Sequence, residues 1–104
     1  MPVMRIWRGE VPTQRAAEYL ARMTPAAMAD YRSVHGNRGA WVLSRKKDAV
    51  TEVATLSLWE SLDSIRAFAG EDVERARYYD FDPEYLTSAP ATVEHWEVLA
   101  EPAQ

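Results

Sequence analysis

The spacing of hydrophobic and polar positions changes several times along the chain, and each change predicts an element. Alternating or short apolar runs predict strands at residues 3–8, 39–45, 50–59 and 92–99. Apolar positions three and four residues apart predict two helices, one from Thr13 to Val34 and one that starts at Ser61. The order β-α-β-β-α-β predicts a ferredoxin-like α+β fold, in which a four-stranded antiparallel sheet carries both helices on one face.

Capping residues predict where these helices begin and end. Thr13 and Ser61 are the predicted N-caps. Pro25, which follows a threonine, predicts a break and restart within the first helix. Gly70 predicts a C-terminal cap for the second helix, which we expect to resume through residues 71–79.

Alternation within the strands also divides the sheet into two faces. The smooth aliphatic side of the third strand is expected to lie under the helices, together with its equivalents on the other strands: Met4, Ile6, Ala40, Val42, Ala54, Leu56, Leu58, Trp96 and Val98. The other face then holds three of the four tryptophans and a few polar groups: Val3, Arg5, Trp7, Trp41, Leu43, Val53, Ser57, Trp59, Val93, His95, Glu97 and Leu99. Such a patch is larger than monomers usually expose, so the pattern predicts a homodimer packed sheet to sheet as a dimeric α+β barrel.

The space inside this barrel is the predicted pocket for a small aromatic or hydrophobic ligand, because aromatic walls with few polar groups are typical of small-molecule sites. The predicted lining residues are Trp7, Trp41, Ser57, Trp59, Tyr78 and Glu97, with Trp59 at the rim of the barrel. Packing in the core of the dimer is the simpler explanation for each tryptophan taken alone.

Arg5 and His95 are the candidate chemical groups. The fourth strand should neighbour the first in this fold, which places Arg5 beside His95 and Glu97. His95 could then act as a general base near neutral pH, and Arg5 could hold a phenolate or a carboxylate. A hydrogen-bonded structural histidine and an ion cluster that neutralises itself are the non-catalytic alternatives.

Composition limits the class of protein. A chain of 104 residues suits one domain, with a core over residues 3–99 and a short polar tail at residues 100–104. The net charge of −4 argues against nucleic acid as a partner. No apolar run approaches the ~18 residues of a membrane span and no signal-peptide pattern is present, so the cytoplasm is the expected location. The sequence also lacks cysteine, a glycine-rich phosphate loop and metal-binding spacings, so neither a cofactor nor a metal is expected.

Three stretches carry a family resemblance: "GNRGAWVL", the strand-to-helix segment "LSLWESLDSIRAFAGED" and the closing strand "VEHWEVL". Together with the element order, they make nearly the whole chain resemble the antibiotic biosynthesis monooxygenase (ABM) superfamily of dimeric α+β barrels. The resemblance implies a cofactor-independent monooxygenase, in which a base deprotonates a phenol- or quinol-like substrate and the electron-rich anion reduces dioxygen. His95 would be that base, Arg5 would stabilise the anion, and Trp59 and Tyr78 would shape the cavity.

Two other functions are open on the sequence alone. One branch of the family degrades haem with an asparagine, a tryptophan and a histidine. Arg5, Phe68 and Tyr78 stand at or near those positions here, which disfavours haem degradation. The other function is that of a non-catalytic dimeric module, which either binds a small hydrophobic ligand or has an interior filled by its own side chains.

Overall fold

A computed structural model describes residues 1–102, so residues 103 and 104 of the predicted polar tail lie outside the described part. Its elements, in chain order, are β1 (Val3–Pro12), α1 (Thr13–Ser33), β2 (Asn37–Lys47), β3 (Val50–Trp59), α2 (Leu62–Ala69), α3 (Asp82–Tyr85) and β4 (Glu94–Glu97). The four strands form one sheet in the order β2-β3-β1-β4, and every neighbouring pair is antiparallel. The predicted ferredoxin-like α+β fold is confirmed. None of the helices within residues 1–102 is long and apolar enough to cross a membrane.

α1 is one uninterrupted helix, and the predicted break at Pro25 is wrong. Its buried side repeats every four residues, at Tyr19, Met23, Ala27 and Tyr31. This stripe continues across Pro25, whose ring lies on the exposed side, so packing on the sheet holds the helix together there. Thr13 is the first helical residue and not the N-cap. Its hydroxyl instead donates to the carbonyl of Asp48 at 2.7 Å, which ties the start of the helix to the β2–β3 turn.

The ends of α2 agree with the prediction, whereas the continuation after it does not. The Ser61 hydroxyl accepts a hydrogen bond from the Ser64 N–H at 3.2 Å, and Gly70 adopts a positive φ of 93° at the C-terminus. Residues 71–79 are not helical. Main-chain groups there bond to residues 91–93 instead, for example from the Ala76 N–H to the Ala91 carbonyl at 2.8 Å, so they are not available for a helix.

The face of the sheet under the helices is the reverse of the predicted one on three strands. Arg5 is paired with Ser57 on β3 and with His95 on β4, and all three side chains lie on the helix side. The open face carries the aliphatic residues of β1 and β3 and two of the tryptophans: Met4, Ile6, Trp41, Leu43, Ala54, Leu56, Leu58 and Trp96. Only β2 was assigned correctly, with Ala40 and Val42 toward the helices.

Aromatic side chains from the helices explain this reversal. Trp59 is fully buried between the layers, where its ring lies 6.3 Å from that of Tyr31 and 5.4 Å from that of Phe68. Its indole N–H donates to the Ser57 hydroxyl at 2.8 Å, so the polar atoms of this pair are satisfied internally. The bulky core therefore forms on the side with the mixed polar and aromatic residues, and the smooth aliphatic side faces outward. Trp59 does not lie at a rim.

Candidate functional site

Arg5 is a charged residue in the middle of the core, with only 3% of its surface exposed. Its Nη1 donates to the carbonyl of Val73 and to Nε2 of His95, 3.1 Å away, and its Nη2 donates to the carbonyl of Arg75 at 3.0 Å. Burial lowers the pKa of the Arg5 guanidinium. Arginine side chains nevertheless stay charged in proteins, so Arg5 carries a positive charge. No carboxylate of residues 1–102 lies within ion-pair distance of it. Among residues 1–102, this buried positive charge thus has no direct counterion.

His95 lies beside Arg5 on the neighbouring strand, as the sequence predicts. Because an arginine can only donate, Nε2 of His95 is the acceptor of this hydrogen bond, and the ring proton belongs on Nδ1. Burial, followed by the charge of Arg5, lowers the pKa of His95 below its ordinary value of 6.5. His95 is therefore neutral near pH 7, with its free lone pair directed at Arg5.

A cavity of about 40 Å³ lies between α1 and the sheet. It is lined by side chains from the sheet, from α1 and α2 and from the segment after α2: Arg5, Trp7, Tyr19, Met23, Ala27, Tyr31, Thr55, Phe68, Arg77, Tyr78, Tyr79 and Val93. This volume holds a few water molecules and is much smaller than the ~300–1,000 Å³ of typical ligand pockets. An aromatic ligand can enter only if part of the lining moves.

Two arginines contact the same aromatic ring in this lining. The guanidinium carbon of Arg77 lies 4.6 Å from the centroid of Phe68, and that of Arg5 lies 5.7 Å from it. Arg77 is also paired with Asp30, with 3.3 Å between the nitrogen and the carboxylate oxygen. Phe68 therefore lies between two arginines: Arg77, which is exposed and paired with a carboxylate, and Arg5, which is buried and has no carboxylate partner among the described residues.

Trp7 and Tyr78 form the wall of the cavity between β1 and the segment after α2. The Trp7 indole N–H donates to the Tyr78 hydroxyl at 3.1 Å, and the two rings meet edge to face. The Tyr78 hydroxyl in turn donates to the carbonyl of Pro90. Tyr78 is also partly exposed, so it lies where the cavity meets solvent.

Asp82 is a buried residue that sequence reasoning missed. Only 3% of it is exposed, and its carboxylate accepts from the Tyr19 hydroxyl at 2.9 Å and from the Tyr79 N–H at 2.6 Å. Burial and the nearby Asp82 charge raise the pKa of Tyr19 far above its ordinary value. These bonds fasten the segment between α2 and β4 to α1 above the cavity. The position of Asp82 directly before Pro83, at the start of a short helix, is the only local sequence signal for it.

The predicted site residues divide into three groups. Arg5, Trp7 and Tyr78 line the cavity, and His95 lies behind Arg5 without lining it. Ser57 and Trp59 are buried in the core, where they bond to each other. Trp41 is on the open face, and Glu97 is exposed on β4 opposite Val3, so neither of them belongs to this cavity. Within the described part of the chain, no cluster of three or more His, Asp or Glu side chains could hold a metal ion.

Comparison with solved structures finds 24 matching chains. A haem-degrading protein from Mycobacterium tuberculosis is 22% identical, with a TM-score of 0.63, and the match covers 99% of this chain and 100% of that one. A candidate antibiotic biosynthesis monooxygenase from Bacillus cereus is 16% identical, with a TM-score of 0.66 and coverage of 99% and 98%. SnoaB, a cofactor-independent oxygenase from Streptomyces nogalater, is 15% identical, with a TM-score of 0.58 and coverage of 98% and 95%.

No family model and no curated protein matches the chain. At these identities, the solved structures establish the architecture and not the activity. The neighbours include both an oxygenase and a haem-degrading protein, so the same fold accommodates different chemistry. The predicted resemblance is confirmed at this level: the chain has the ferredoxin-like α+β fold of the antibiotic biosynthesis monooxygenase structures.

Proposed function

We propose that the chain is an ABM-like, cofactor-independent monooxygenase that acts on a small phenol- or quinol-like substrate in the cavity between α1 and the sheet. The observation that carries the proposal is the buried guanidinium of Arg5, which has no carboxylate partner among the described residues and lies in an aromatic-lined cavity. A desolvated cation of this kind stabilises an anion more strongly than it could in water. The fold shared with an oxygenase that needs no cofactor supports the same reaction class.

The proposed reaction needs the substrate anion, dioxygen and the proton that the substrate loses on ionisation. The anion on Arg5 gives one electron to dioxygen, and the resulting substrate radical and superoxide combine at a ring carbon. The peroxide takes back the proton that the substrate lost to the base. The resulting hydroperoxide loses water together with the hydrogen of that ring carbon and leaves a carbonyl group, so one oxygen atom stays in the product and the other leaves as water. The protein supplies desolvation and placement, with Trp7 and Phe68 against the ring.

His95 is the proposed base, and its contact with Arg5 limits how it can act. Its Nε2 lone pair faces the guanidinium, so His95 can accept a proton only when that hydrogen bond is broken. Two variants separate a base from a positioning residue. His95→Ala removes both functions, whereas His95→Gln offers Arg5 a side-chain oxygen as acceptor but has no titratable nitrogen. Loss of oxygen uptake in both variants supports the base, loss in His95→Ala alone indicates positioning of Arg5, and no loss in either removes His95 from the mechanism.

Oxygen uptake with a panel of hydroxyquinones tests the function itself. Wild-type protein should consume oxygen with at least one of them, and Arg5→Gln should lose the reaction. Arg38→Gln is the matched control, because Arg38 forms an exposed ion pair with Glu101 and does not line the cavity. An unchanged rate in Arg5→Gln, or no uptake by folded wild-type protein with any member of the panel, would refute the proposal.

The proposed substrate requires the cavity to enlarge. The segment at residues 71–93 forms its outer wall and contains one short helix only. Tyr78 lies on this segment and is partly exposed. We propose that displacement of Tyr78 from Trp7 opens the path, since this contact separates the cavity from solvent.

The open face of the sheet supports the proposal of a homodimer. It exposes 44% of Trp41, 47% of Leu43 and 58% of Trp96 on one side of the sheet, and none of the helices described in residues 1–102 covers that side. Two copies packed through these faces would form the dimeric α+β barrel and remove the apolar patch from water. In this arrangement the ligand site lies within each protomer, on the opposite side of the sheet from the interface. We also propose a cytoplasmic location, on the basis of the sequence alone.

The alternative is a non-catalytic module that binds an aromatic ligand or keeps its cavity filled. The small volume of the cavity and the orientation of the His95 lone pair favour it. Quenching of tryptophan fluorescence by hydroxyquinones without oxygen uptake would indicate such a binding module. Haem degradation remains disfavoured, and the absence of a Soret shift after addition of haemin would agree with that.

A further inference from the structure

The lining of the cavity is positively charged, although the chain as a whole is acidic. It contains Arg5 and Arg77 and, within residues 1–102, no aspartate or glutamate, whereas the chain has a net charge of −4. Asp30 is the one described carboxylate paired with either arginine, and it lies outside the lining. Burial of the Arg5 guanidinium costs desolvation free energy, which an anionic ligand offsets. The cavity therefore favours an anion over a neutral molecule of the same shape.

Arg5 has donors left for two ligand oxygens. Of the five N–H groups of an arginine, two on Nη1 point to the Val73 carbonyl and to His95, and one on Nη2 points to the Arg75 carbonyl. Nε–H and one N–H of Nη2 have no partner among the described residues. These two nitrogens share one edge of the guanidinium, and such an edge binds a carboxylate through both of its oxygens.

The base nearest to Arg5 does not face the cavity. His95 directs its lone pair at the guanidinium and is not a lining residue. A phenol, with a pKa of ~10, would have to lose its proton after entry, whereas a carboxylic acid, with a pKa of ~4, is ionised before it enters. On the cavity assigned in the proposed function, we propose that an aromatic carboxylate binds in place of the phenolate, with its carboxylate on Arg5 and its ring against Phe68.

Isothermal titration of the wild-type protein with benzoate, benzamide and phenol at neutral pH tests this inference. Benzamide has nearly the same shape as benzoate without the charge, and phenol has a single oxygen. Benzoate should bind roughly ten- to a hundred-fold more tightly than either, because two charge-assisted hydrogen bonds distinguish it. Equal binding of benzamide or phenol, or no binding of benzoate, would overturn the inference.

Variants then locate the carboxylate. Arg5→Lys keeps the charge but loses the two-nitrogen edge, so benzoate should bind several-fold more weakly while retaining part of its advantage over benzamide. Arg77→Gln, at an exposed position, should weaken benzoate less than Arg5→Lys does. Arg38→Gln should change nothing. An unchanged affinity in a folded Arg5→Lys variant would place the anion elsewhere and overturn the inference.

The benzoate titration tests this inference independently of the proposed oxygenase reaction. Binding is measured without dioxygen, so a preference for benzoate in a protein that oxidises no substrate would support the inference and refute the proposed reaction. Oxygen uptake with hydroxyquinones in a protein without that preference would support the proposed reaction and overturn this inference.

Discussion

Replacement of Trp41 by alanine tests the proposed interface on the open face of the sheet. Trp41 exposes 44% of its surface, which corresponds to about 110 Å² of a side chain that buries up to about 250 Å². At about 25 cal/mol per Å², complete burial of this area contributes about 2.7 kcal/mol per protomer, and a two-fold interface counts it twice. Burial of half of that area would still leave about 2.7 kcal/mol per dimer, or roughly a hundred-fold in the dissociation constant.

Sedimentation equilibrium over a range of protein concentrations measures this effect. Wild-type protein should reach twice the monomer mass, and Trp41→Ala should shift the monomer–dimer midpoint to roughly hundred-fold higher concentration. Leu62→Ala is the matched control: Leu62 is 42% exposed, but it lies on α2, on the other side of the sheet. A wild-type monomer at every concentration, or an identical midpoint in Trp41→Ala, would refute the interface.

Two further predictions concern the buried Asp82 and the half-buried His95. Asp82→Ala should lower the free energy of unfolding in urea by about 2–3 kcal/mol, because the Tyr19 hydroxyl loses its acceptor, whereas the exposed control Asp80→Ala should change it little. A loss no larger than that of the control would contradict the role of Asp82. The pKa of His95 is lowered in the native state, so the unfolded chain binds the proton more readily, and the free energy of unfolding should fall as the pH drops below 6.5. Urea titrations above and below this pH should show a smaller decrease in His95→Gln, and an equal decrease would refute the proton linkage to Arg5.

Local signals predicted the elements well. Ser61 and Gly70 set the ends of α2, and the element order predicted the sheet, including the neighbourhood of Arg5 and His95. The predicted helix at residues 71–79 is wrong. Its composition allows a helix, but its main chain bonds to residues 15 and 19 positions further along, which no local pattern records.

The choice of the inner sheet face could not be made from alternation. Both faces of β3 are largely apolar or small, so the period of two identifies the faces but not which one the helices cover. Arg5 looked like an outward-facing or pocket residue because its partners, the carbonyls of Val73 and Arg75, are remote in sequence. One available signal was the set of large aromatics on the helices, such as Tyr31 and Phe68, which pack against Trp59 on the mixed polar and aromatic side of the sheet.

The location of the ligand is the central claim, and the indole N–H signals of the four tryptophans measure it directly. They report three places: the cavity at Trp7, the buried core at Trp59 and the open face at Trp41 and Trp96. In a ¹H–¹⁵N NMR titration with benzoate or a hydroxyquinone, after assignment by single Trp→Phe variants, we expect the Trp7 signal to shift most and the signals of Trp41 and Trp96 to stay in place. Shifts confined to Trp41 and Trp96 would put the ligand between the sheets and contradict the assignment of the cavity beneath α1.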